Sequence, residues 1–405
     1  MKIDVERRVL GNGLRLLVAR RPETPVVSIH ASVDGGQRRE RKPGAASLAG
    51  AALFAGAGAR TEEQVVDAVE FLGANLATHG SGLSMRMRAG DLPLGILLTA
   101  DLLRAPRFDA ASVDRERELA LSEIAAERDH PTVVGLRALA ARIYGPHPFA
   151  RHPRGAPAGL SRDDVVGYHA EFFRPQNTVV AVAGAVDGSS ALEEALSGWH
   201  ADAAPDLPPP APPPPPAASE ERLPHDGRQL HLFLGHLGVP LRHADFAALR
   251  VMESILGGAA GLTDRLSSRI RDELGLAYAV SADICGTAGA EPGQFRVHVG
   301  TSPRHGERVR AEVVAAMREM MEGVPGEEEL ADAKAFLASE WIFELETADR
   351  TAAILATIER LGLGLDYPER HLAEIAAIGP DDVREAARRH LYPDRLAGVA
   401  VGPGH

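Results

Sequence analysis

The first half of the chain alternates between short apolar strands and amphipathic helices. Residues 10–20 and 25–36 have the apolar runs of strands, and Gly11-Asn12-Gly13 supplies a turn at the start of the first run. From 83 to 88, leucine and methionine alternate with serine and arginine, which predicts a strand with one side facing water. Helices are predicted at 43–59, 62–74, 92–104 and 113–128.

The second half repeats this organisation. Strands are predicted near 229–236, 277–285 and 294–301, and helices near 244–256, 262–273, 305–322 and 327–343. This mixture of strands and helices predicts an α+β fold, in which each half forms a mostly antiparallel sheet with helices packed on one side.

One segment occurs in both halves at a constant offset of 218 positions. Residues 161–184 and 379–402 each run from an aspartate-rich helix start, through an amphipathic helix, to a proline turn and an apolar strand that ends in glycine. The identical pairs are Asp163 and Asp381, Val165 and Val383, Pro175 and Pro393, and Gly184 and Gly402. Two homologous halves explain this match, and a chance recurrence of a common helix-turn-strand unit is the alternative.

A proline-rich segment at 203–218 separates the two halves. In a polyproline II conformation it would form a semi-rigid strut about 40 Å long. We therefore predict an N-terminal domain at 1–202, a linker at 203–218 and a C-terminal domain at 219–405. The alternative reading of the linker is a docking site for a module that recognises proline.

Composition excludes several classes of protein. The chain has 405 residues, of which 45% are hydrophobic, and 56 acidic residues outnumber 44 basic ones, so a phosphate-backbone partner is not expected. The single cysteine, Cys285, excludes an intrachain disulfide and a thiolate metal cage. No apolar run reaches the length of a membrane span, so we expect a cytoplasmic protein without a membrane partner, or a periplasmic one if a leader was removed.

The order of several short motifs resembles the M16 (pitrilysin or insulinase-like) zinc metallopeptidases in their short two-domain form. The motifs are GNGLRLLVAR, VDGGQRRERKPGAASLAGAALFAGAG, DRERELALSEIAAERDHP, YGPHPFARHPRG, FFRPQNTVVAVAG and SILGGAAGLTDRLSSRIRDELGLAY. Members of this family carry an HxxEH motif on the helix after the turn that corresponds to Gly44. Two imidazoles one helical turn apart bind zinc there, and the glutamate serves as the base.

In this chain the resemblance places that motif on residues 47–51, SLAGA. Ser47 stands at the first histidine, Gly50 at the base and Ala51 at the second histidine. Without both imidazoles we expect no useful zinc affinity, and without the base a further loss of about 10² to 10⁴ in rate. The resemblance thus implies a chain with no catalytic residue and no metal of its own.

Four further positions follow from the resemblance. The family's third zinc ligand and the glutamate before it map onto Glu123 and Glu116, which lie on one face of a helix. We interpret Glu123 as a vestigial ligand, with a solvated helix-surface carboxylate as the alternative. The family's paired arginine and tyrosine map onto Arg271 and Tyr278, which a non-catalytic subunit lends to its partner's active site, where they can hydrogen-bond a peptide carbonyl.

The sequence therefore predicts the inactive, substrate-binding subunit of a heterodimeric M16 peptidase. Its partner would be a similar chain with an intact HxxEH motif and zinc, and the pair would act on unfolded peptides. Two alternatives stay open, namely a scaffold of M16 fold with no peptidase role and an active metallopeptidase with a relocated metal site. If Glu123 faces the former metal site, restoring histidine, glutamate and histidine at positions 47, 50 and 51 should produce zinc uptake.

Overall fold

The computed structural model describes residues 3–202, 209–258 and 264–403. Its strands are β1 (Val5–Val9), β2 (Arg15–Arg20), β3 (Val26–Val33), β4 (Asn75–His79), β5 (Gly82–Arg88), β6 (Thr178–Gly184), β7 (Ser219–Pro224), β8 (Leu230–Leu237), β9 (Ala277–Asp283), β10 (Gln294–Thr301) and β11 (Ala397–Gly402). Its α-helices are α1 (Ala45–Ala52), α2 (Glu62–Phe71), α3 (Leu92–Arg104), α4 (Ala110–Glu127), α5 (Pro131–Tyr144), α6 (Arg162–Phe172), α7 (Ser190–Ser197), α8 (Phe246–Glu253), α9 (Arg265–Ser267), α10 (Gly306–Glu322), α11 (Glu327–Glu344), α12 (Ala348–Leu361), α13 (Tyr367–Ala377) and α14 (Pro380–His390).

The chain forms two compact units, each built around one sheet. Among the described residues, the first unit has six strands in the order β1-β2-β6-β3-β5-β4, and the second has five in the order β7-β11-β8-β10-β9. All neighbours pair antiparallel except β2 with β6 and β7 with β11. The predicted α+β class with two mostly antiparallel sheets is confirmed.

The repeated segment predicted from the sequence forms the same structure twice. In the first unit α6 leads through a turn at Pro175 to β6, and in the second α14 leads through a turn at Pro393 to β11. The third residue of each helix is an aspartate, Asp164 in α6 and Asp382 in α14. Its carboxylate accepts a hydrogen bond from the backbone N–H of the residue just before the helix. The shared helix start, turn and strand account for the sequence match.

The compact units are not the contiguous ranges 1–202 and 219–405. The first unit comprises Met1–Ala125, His152–Pro210 and Ile342–Tyr367, and the second comprises Ala126–Arg151, Ala211–Trp341 and Pro368–His405. Each unit thus receives one helix from the opposite half of the sequence, because α12 belongs to the first unit and α5 to the second. The first and last residues of α12 lie 217 positions after those of α5, which is within one residue of the offset of 218 between the repeated segments. The two helices are therefore equivalent elements of the repeat.

The exchanged helices cover the second face of each sheet. In the first unit, one face of β2 and β6 packs on the main helix layer, and the other face packs on Ala352, Leu355 and Ala356 of α12. In the second unit, α5 packs on β8 and β11 through Leu139 and Ile143. The prediction of helices on one side of each sheet is therefore incomplete. Covering both faces also explains the continuous apolar sequence of these strands, since no position is left to face water.

An isolated fragment of residues 1–202 is expected not to fold cooperatively. Without α12, the fragment would expose the sheet face that contains Leu17, Val179 and Ala181, all of which are completely buried in the whole chain. Thermal unfolding followed by circular dichroism, with sedimentation as a test of aggregation, checks this. Adding a peptide of residues 342–367 should restore part of the transition. A monomeric fragment that melts like the full chain would contradict the assignment of α12.

Stability is expected to fall as the pH drops from about 6.5 to 4. Burial lowers the pKa of His169, His236 and His371 to about 4 in the folded chain, whereas an unfolded histidine titrates near 6.5. In this window the unfolded chain binds protons that the folded chain does not, so acid favours unfolding. Urea midpoints at pH 7.5, 6, 5 and 4.5 should decrease in that order. Equal midpoints at pH 7.5 and 5 would show that these rings are protonated in the folded state.

Residues 209–218, the described part of the predicted linker, contain no helix or strand, and residues 203–208 lie outside the described ranges. Among the described residues, no helix is both long enough and apolar enough to cross a membrane.

Candidate functional site

Helix α1 carries the positions that the resemblance assigns to the zinc motif. The helix begins after Gly44, whose φ of 96° lies in the left-handed region that favours glycine. The buried carboxylate of Glu40 accepts hydrogen bonds from the backbone N–H of Gly44 (2.9 Å) and of Ala46 (3.0 Å). Glu40 thereby satisfies two donors at the start of the helix and fixes where α1 begins.

The three motif positions have different surroundings. Ser47 is half-buried, Gly50 is buried and Ala51 is exposed. A Cβ atom at Gly50 would lie 2.4 Å from the backbone nitrogen of Gly80 and 2.4 Å from the carbonyl carbon of His79. The two atoms form the peptide bond that joins the end of β4 to the turn before β5, so backbone rests directly on the helix where a side chain would emerge.

The contact between helix and turn is tight from both sides. A Cβ atom at Gly80 would lie 2.4 Å from the backbone oxygen of Ala46 and 2.9 Å from its Cβ. Backbone atoms on both surfaces cannot move aside as a flexible side chain can. Position 50 therefore has no room for a glutamate, and residues 47, 50 and 51 do not fit a zinc ion. The two imidazoles and the glutamate of the motif are absent, and backbone atoms fill the space that the glutamate would occupy.

Two histidines lie close to this contact. His79 is the last residue of β4, and the ring centroids of His79 and His30 are 6.2 Å apart. Burial lowers the pKa of His30 to about 4, so its ring is neutral at physiological pH. Within the described ranges, neither ring belongs to a group of three metal-binding side chains. The described residues thus provide no substitute zinc site beside α1.

Glu123 and Glu116 both lie on α4, and both contact arginines. The Oε2 atom of Glu123 accepts hydrogen bonds from Arg154 at 2.8 Å (Nε) and 2.6 Å (Nη2). Its side chain is 45% exposed, as expected for a solvated surface ion pair. Glu116 lies 3.4 Å from Nη2 of its neighbour Arg115. The backbone oxygen of Arg154 packs against Gly44, so the guanidinium that pairs with Glu123 is anchored next to the start of α1.

Arg271 and Tyr278 lie on either side of the turn that leads into β9. Arg271 belongs to a π-helical turn (Ser268–Glu273), and Gly275, with φ of 58°, reverses the chain before the strand. Asp272 hydrogen-bonds the Arg271 guanidinium at 2.8 and 3.0 Å and so raises the pKa of Arg271. An ionised Tyr278 would also raise the pKa of Arg271, so the two side chains lie near each other. The structure thus places the two predicted residues in one neighbourhood.

Tyr278 is unusually exposed for an aromatic residue in a strand. Its accessibility is 90%, whereas a tyrosine in a sheet normally packs much of its ring against neighbours. β9 is the last strand of its sheet and pairs only with β10 among the described strands. A shallow cavity of about 410 Å³ adjoins the ring and is lined by Gln229, Gly275, Gly300 and Ser302 among others. The arrangement offers a phenol, a guanidinium and an unpaired strand edge to an extended peptide.

One group of potential metal ligands was not found from the sequence. A ring nitrogen of His243, a carboxylate oxygen of Asp245 and a ring nitrogen of His390 all lie within 4.8 Å of one another. Among the described residues, it is the only group of three histidine, cysteine or acidic side chains with this spacing. His390 is 145 residues from Asp245, so no local sequence pattern could have revealed the group.

Comparison with known proteins finds sequence relatives among the M16 peptidases and proteins named as zinc proteases. The sequence-family model described as the peptidase M16 inactive domain matches residues 159–337 of this chain. A protein of Mycobacterium tuberculosis named as an uncharacterized zinc protease is 29% identical over 421 residues, which cover 98% of this chain and 93% of that protein.

Solved structures share the fold over the whole chain. A peptidase M16 inactive domain from Pseudomonas fluorescens superposes with a TM-score of 0.91 at 24% identity, covering 100% of this chain and 99% of that one. A protease from Helicobacter pylori superposes with a TM-score of 0.89 at 18% identity and covers 100% of both chains. These structures show the fold, and the family model and the sequence relatives show that this chain is similar to the M16 peptidases.

Proposed function

We propose that this chain is the non-catalytic, peptide-contacting subunit of a heterodimeric M16 peptidase. The partner is a similar chain that retains the HxxEH motif and holds the zinc. Two features of this chain support assigning catalysis to the partner and peptide contact to this chain. The motif positions on α1 cannot hold a metal, and the pair Arg271 and Tyr278 lies at an exposed strand edge.

The observation that carries the proposal is the exposure of Tyr278. Leaving an aromatic ring almost fully in water forgoes about 1.5–3 kcal/mol of burial free energy, so the position contributes little to the stability of the fold. A phenol O–H donates one hydrogen bond, and a guanidinium donates several in a fixed plane. Both groups can donate to a peptide carbonyl and bind its oxygen more strongly as negative charge develops there.

The substrates that fit this surface are unfolded peptides. An extended segment can add to the free edge of β9 through backbone hydrogen bonds, which need no particular side-chain sequence. Arg271 and Tyr278 would then position one carbonyl of that segment. We place the complex in the cytoplasm, or in the periplasm if a leader was removed, and we assign this chain no nucleic-acid or membrane partner.

Reconstitution tests the proposal directly. The full chain would be mixed with an M16 chain from the same genome that contains an intact HxxEH motif, and cleavage of an unstructured fluorogenic peptide would be measured for the mixture and for each chain alone. We expect a stable heterodimer with activity well above that of either chain. A chain that assembles only with itself and binds no peptide would favour the scaffold alternative, and peptide cleavage by the isolated chain would favour the enzyme alternative.

A further inference from the structure

We propose that His243, Asp245 and His390 form a binding site for a divalent transition metal, Zn²⁺ above all, that joins the start of α8 to the end of α14. All three residues belong to the second unit, and the inference does not depend on the proposed peptidase role.

The three side chains converge from two elements that pack on each other. Asp245 immediately precedes α8, and His390 is the last residue of α14. The Nε2 atom of His390 lies 2.7 Å from Oδ2 of Asp245, and Nδ1 of His243 lies 3.9 Å from the same oxygen. The two imidazole rings meet edge to face, with their centroids 4.9 Å apart. To bind zinc at 2.0–2.2 Å the three side chains would move apart around the ion, and to ligate through Nδ1 His243 would give up the hydrogen bond that it accepts from the backbone N–H of Asp245.

The donor set selects the class of metal. Two imidazoles and one carboxylate suit zinc and its neighbours in the transition series, whereas calcium and magnesium prefer oxygen ligands throughout. Three protein ligands leave a fourth tetrahedral position for water. The ligand side chains are between 16% and 36% exposed, so an ion can reach them from solvent.

The site lies between two helix ends with opposite dipoles. The C-terminal end of α14 favours positive charge and the start of α8 opposes it, so the Asp245 carboxylate supplies the main attraction for a cation. Arg389 donates to the other carboxylate oxygen of Asp245 at 3.0 Å, which orients the carboxylate and leaves Oδ2 for the metal.

The cluster is suited to binding and not to hydrolysis. Within the described residues, Asp245 is the one carboxylate that contacts the two histidines, and as a ligand it could not also serve as a general base. We therefore assign the metal a stabilising role, in which it ties α8 to α14. Without metal, Arg389 and His390 hydrogen-bond the carboxylate of Asp245.

Metal titration of the full chain tests the site. The chain would be stripped with EDTA, dialysed free of chelator and titrated with Zn²⁺ by calorimetry, with Co²⁺ absorption as a report on coordination geometry. The variants are His243→Ala, Asp245→Asn and His390→Ala. His200→Ala is the matched control, because it removes an exposed histidine outside the cluster.

We expect one zinc ion per chain in the wild type and in the His200→Ala variant, and affinity at least about tenfold weaker in each cluster variant. Zinc should raise the Tm of the wild type and of the control, and leave the Tm of the cluster variants unchanged. If His390→Ala fails to fold, His243→Ala still decides, since His243 is the most exposed of the three. Wild-type zinc binding no tighter than that of His243→Ala, or a Tm that zinc does not change, would overturn the proposal.

Discussion

Replacing Gly50 with glutamate is expected to lower the free energy of unfolding by about 3 kcal/mol. Every rotamer of the new side chain starts from a Cβ atom that would lie 2.4 Å from the backbone of His79 and Gly80. The turn between β4 and β5 must move away from α1 to admit it, and the close packing between Gly80 and Ala46 would be lost. Urea denaturation of the variant and the wild type at neutral pH measures the loss.

The neighbouring position supplies the control. Ala51 is exposed, so Ala51→His should change the free energy of unfolding by no more than about 0.5 kcal/mol. Gly50→Ala should fall between the two variants, because its single methyl group meets the same backbone atoms. A Gly50→Glu variant as stable as Ala51→His would show that the turn can leave the helix at little cost.

The same contact changes the expectation for a restored zinc motif. From the sequence, histidine, glutamate and histidine at positions 47, 50 and 51 should restore zinc uptake if Glu123 faces the site. In the structure, position 50 is blocked by backbone and Glu123 is paired with Arg154. We now expect the triple variant to be destabilised and to bind no additional zinc. Calorimetry should compare it with the wild type, because the wild type itself has the proposed site at His243.

In the reconstituted heterodimer, Arg271→Ala is expected to lower kcat by about 10²–10³, the usual effect of removing one donor to a developing oxyanion. Tyr278→Phe removes the phenol O–H alone and should also lower kcat while leaving the ring in place. Because Tyr278 is 90% exposed, neither assembly nor the thermal stability of this chain should change in that variant.

Steady-state kinetics on one unstructured peptide would check both variants, with gel filtration to confirm the complex. Arg308→Ala is a matched control, since Arg308 is an exposed arginine of the same unit on α10. A KM increase with unchanged kcat would mean that the pair binds peptide equally in ground and transition states. Cleavage rates equal to those of the Arg308→Ala complex would remove the proposed role of Arg271.

Local patterns predicted the elements whose signal lies within a few residues. The second-half helices predicted at 305–322 and 327–343 are α10 and α11, with bounds that differ by one residue at most. The predicted helix at 262–273 begins in residues outside the described ranges and continues as a short α-helix and a π-helical turn. Residues 348–361 and 131–144 were not predicted as helices, although they form α12 and α5.

In the candidate site too, the sequence predicted what continuous motifs encode and missed what depends on contacts between distant residues. The resemblance located α1, α4 and the segment with Arg271 and Tyr278 because their motifs are continuous in sequence. It could not show that Tyr278 is exposed, since an isolated tyrosine among small residues is equally compatible with a half-buried strand. Nor could it show the contact between Gly50 and the turn at Gly80, because two glycines 30 positions apart have no side chains from which a pattern could be read.

The sequence by itself determined the α+β class, the internal repeat, the resemblance to the M16 peptidases and the fact that α1 contains no histidine or glutamate. Each of these depends on which residue types occur in which order, and the order is complete in the sequence. The tertiary structure alone decided that α5 and α12 cover the sheet of the opposite half, that backbone fills the space beside Gly50, and that His243, Asp245 and His390 meet. Each of these is a contact between distant parts of the chain, and packing between such parts produces no local periodicity.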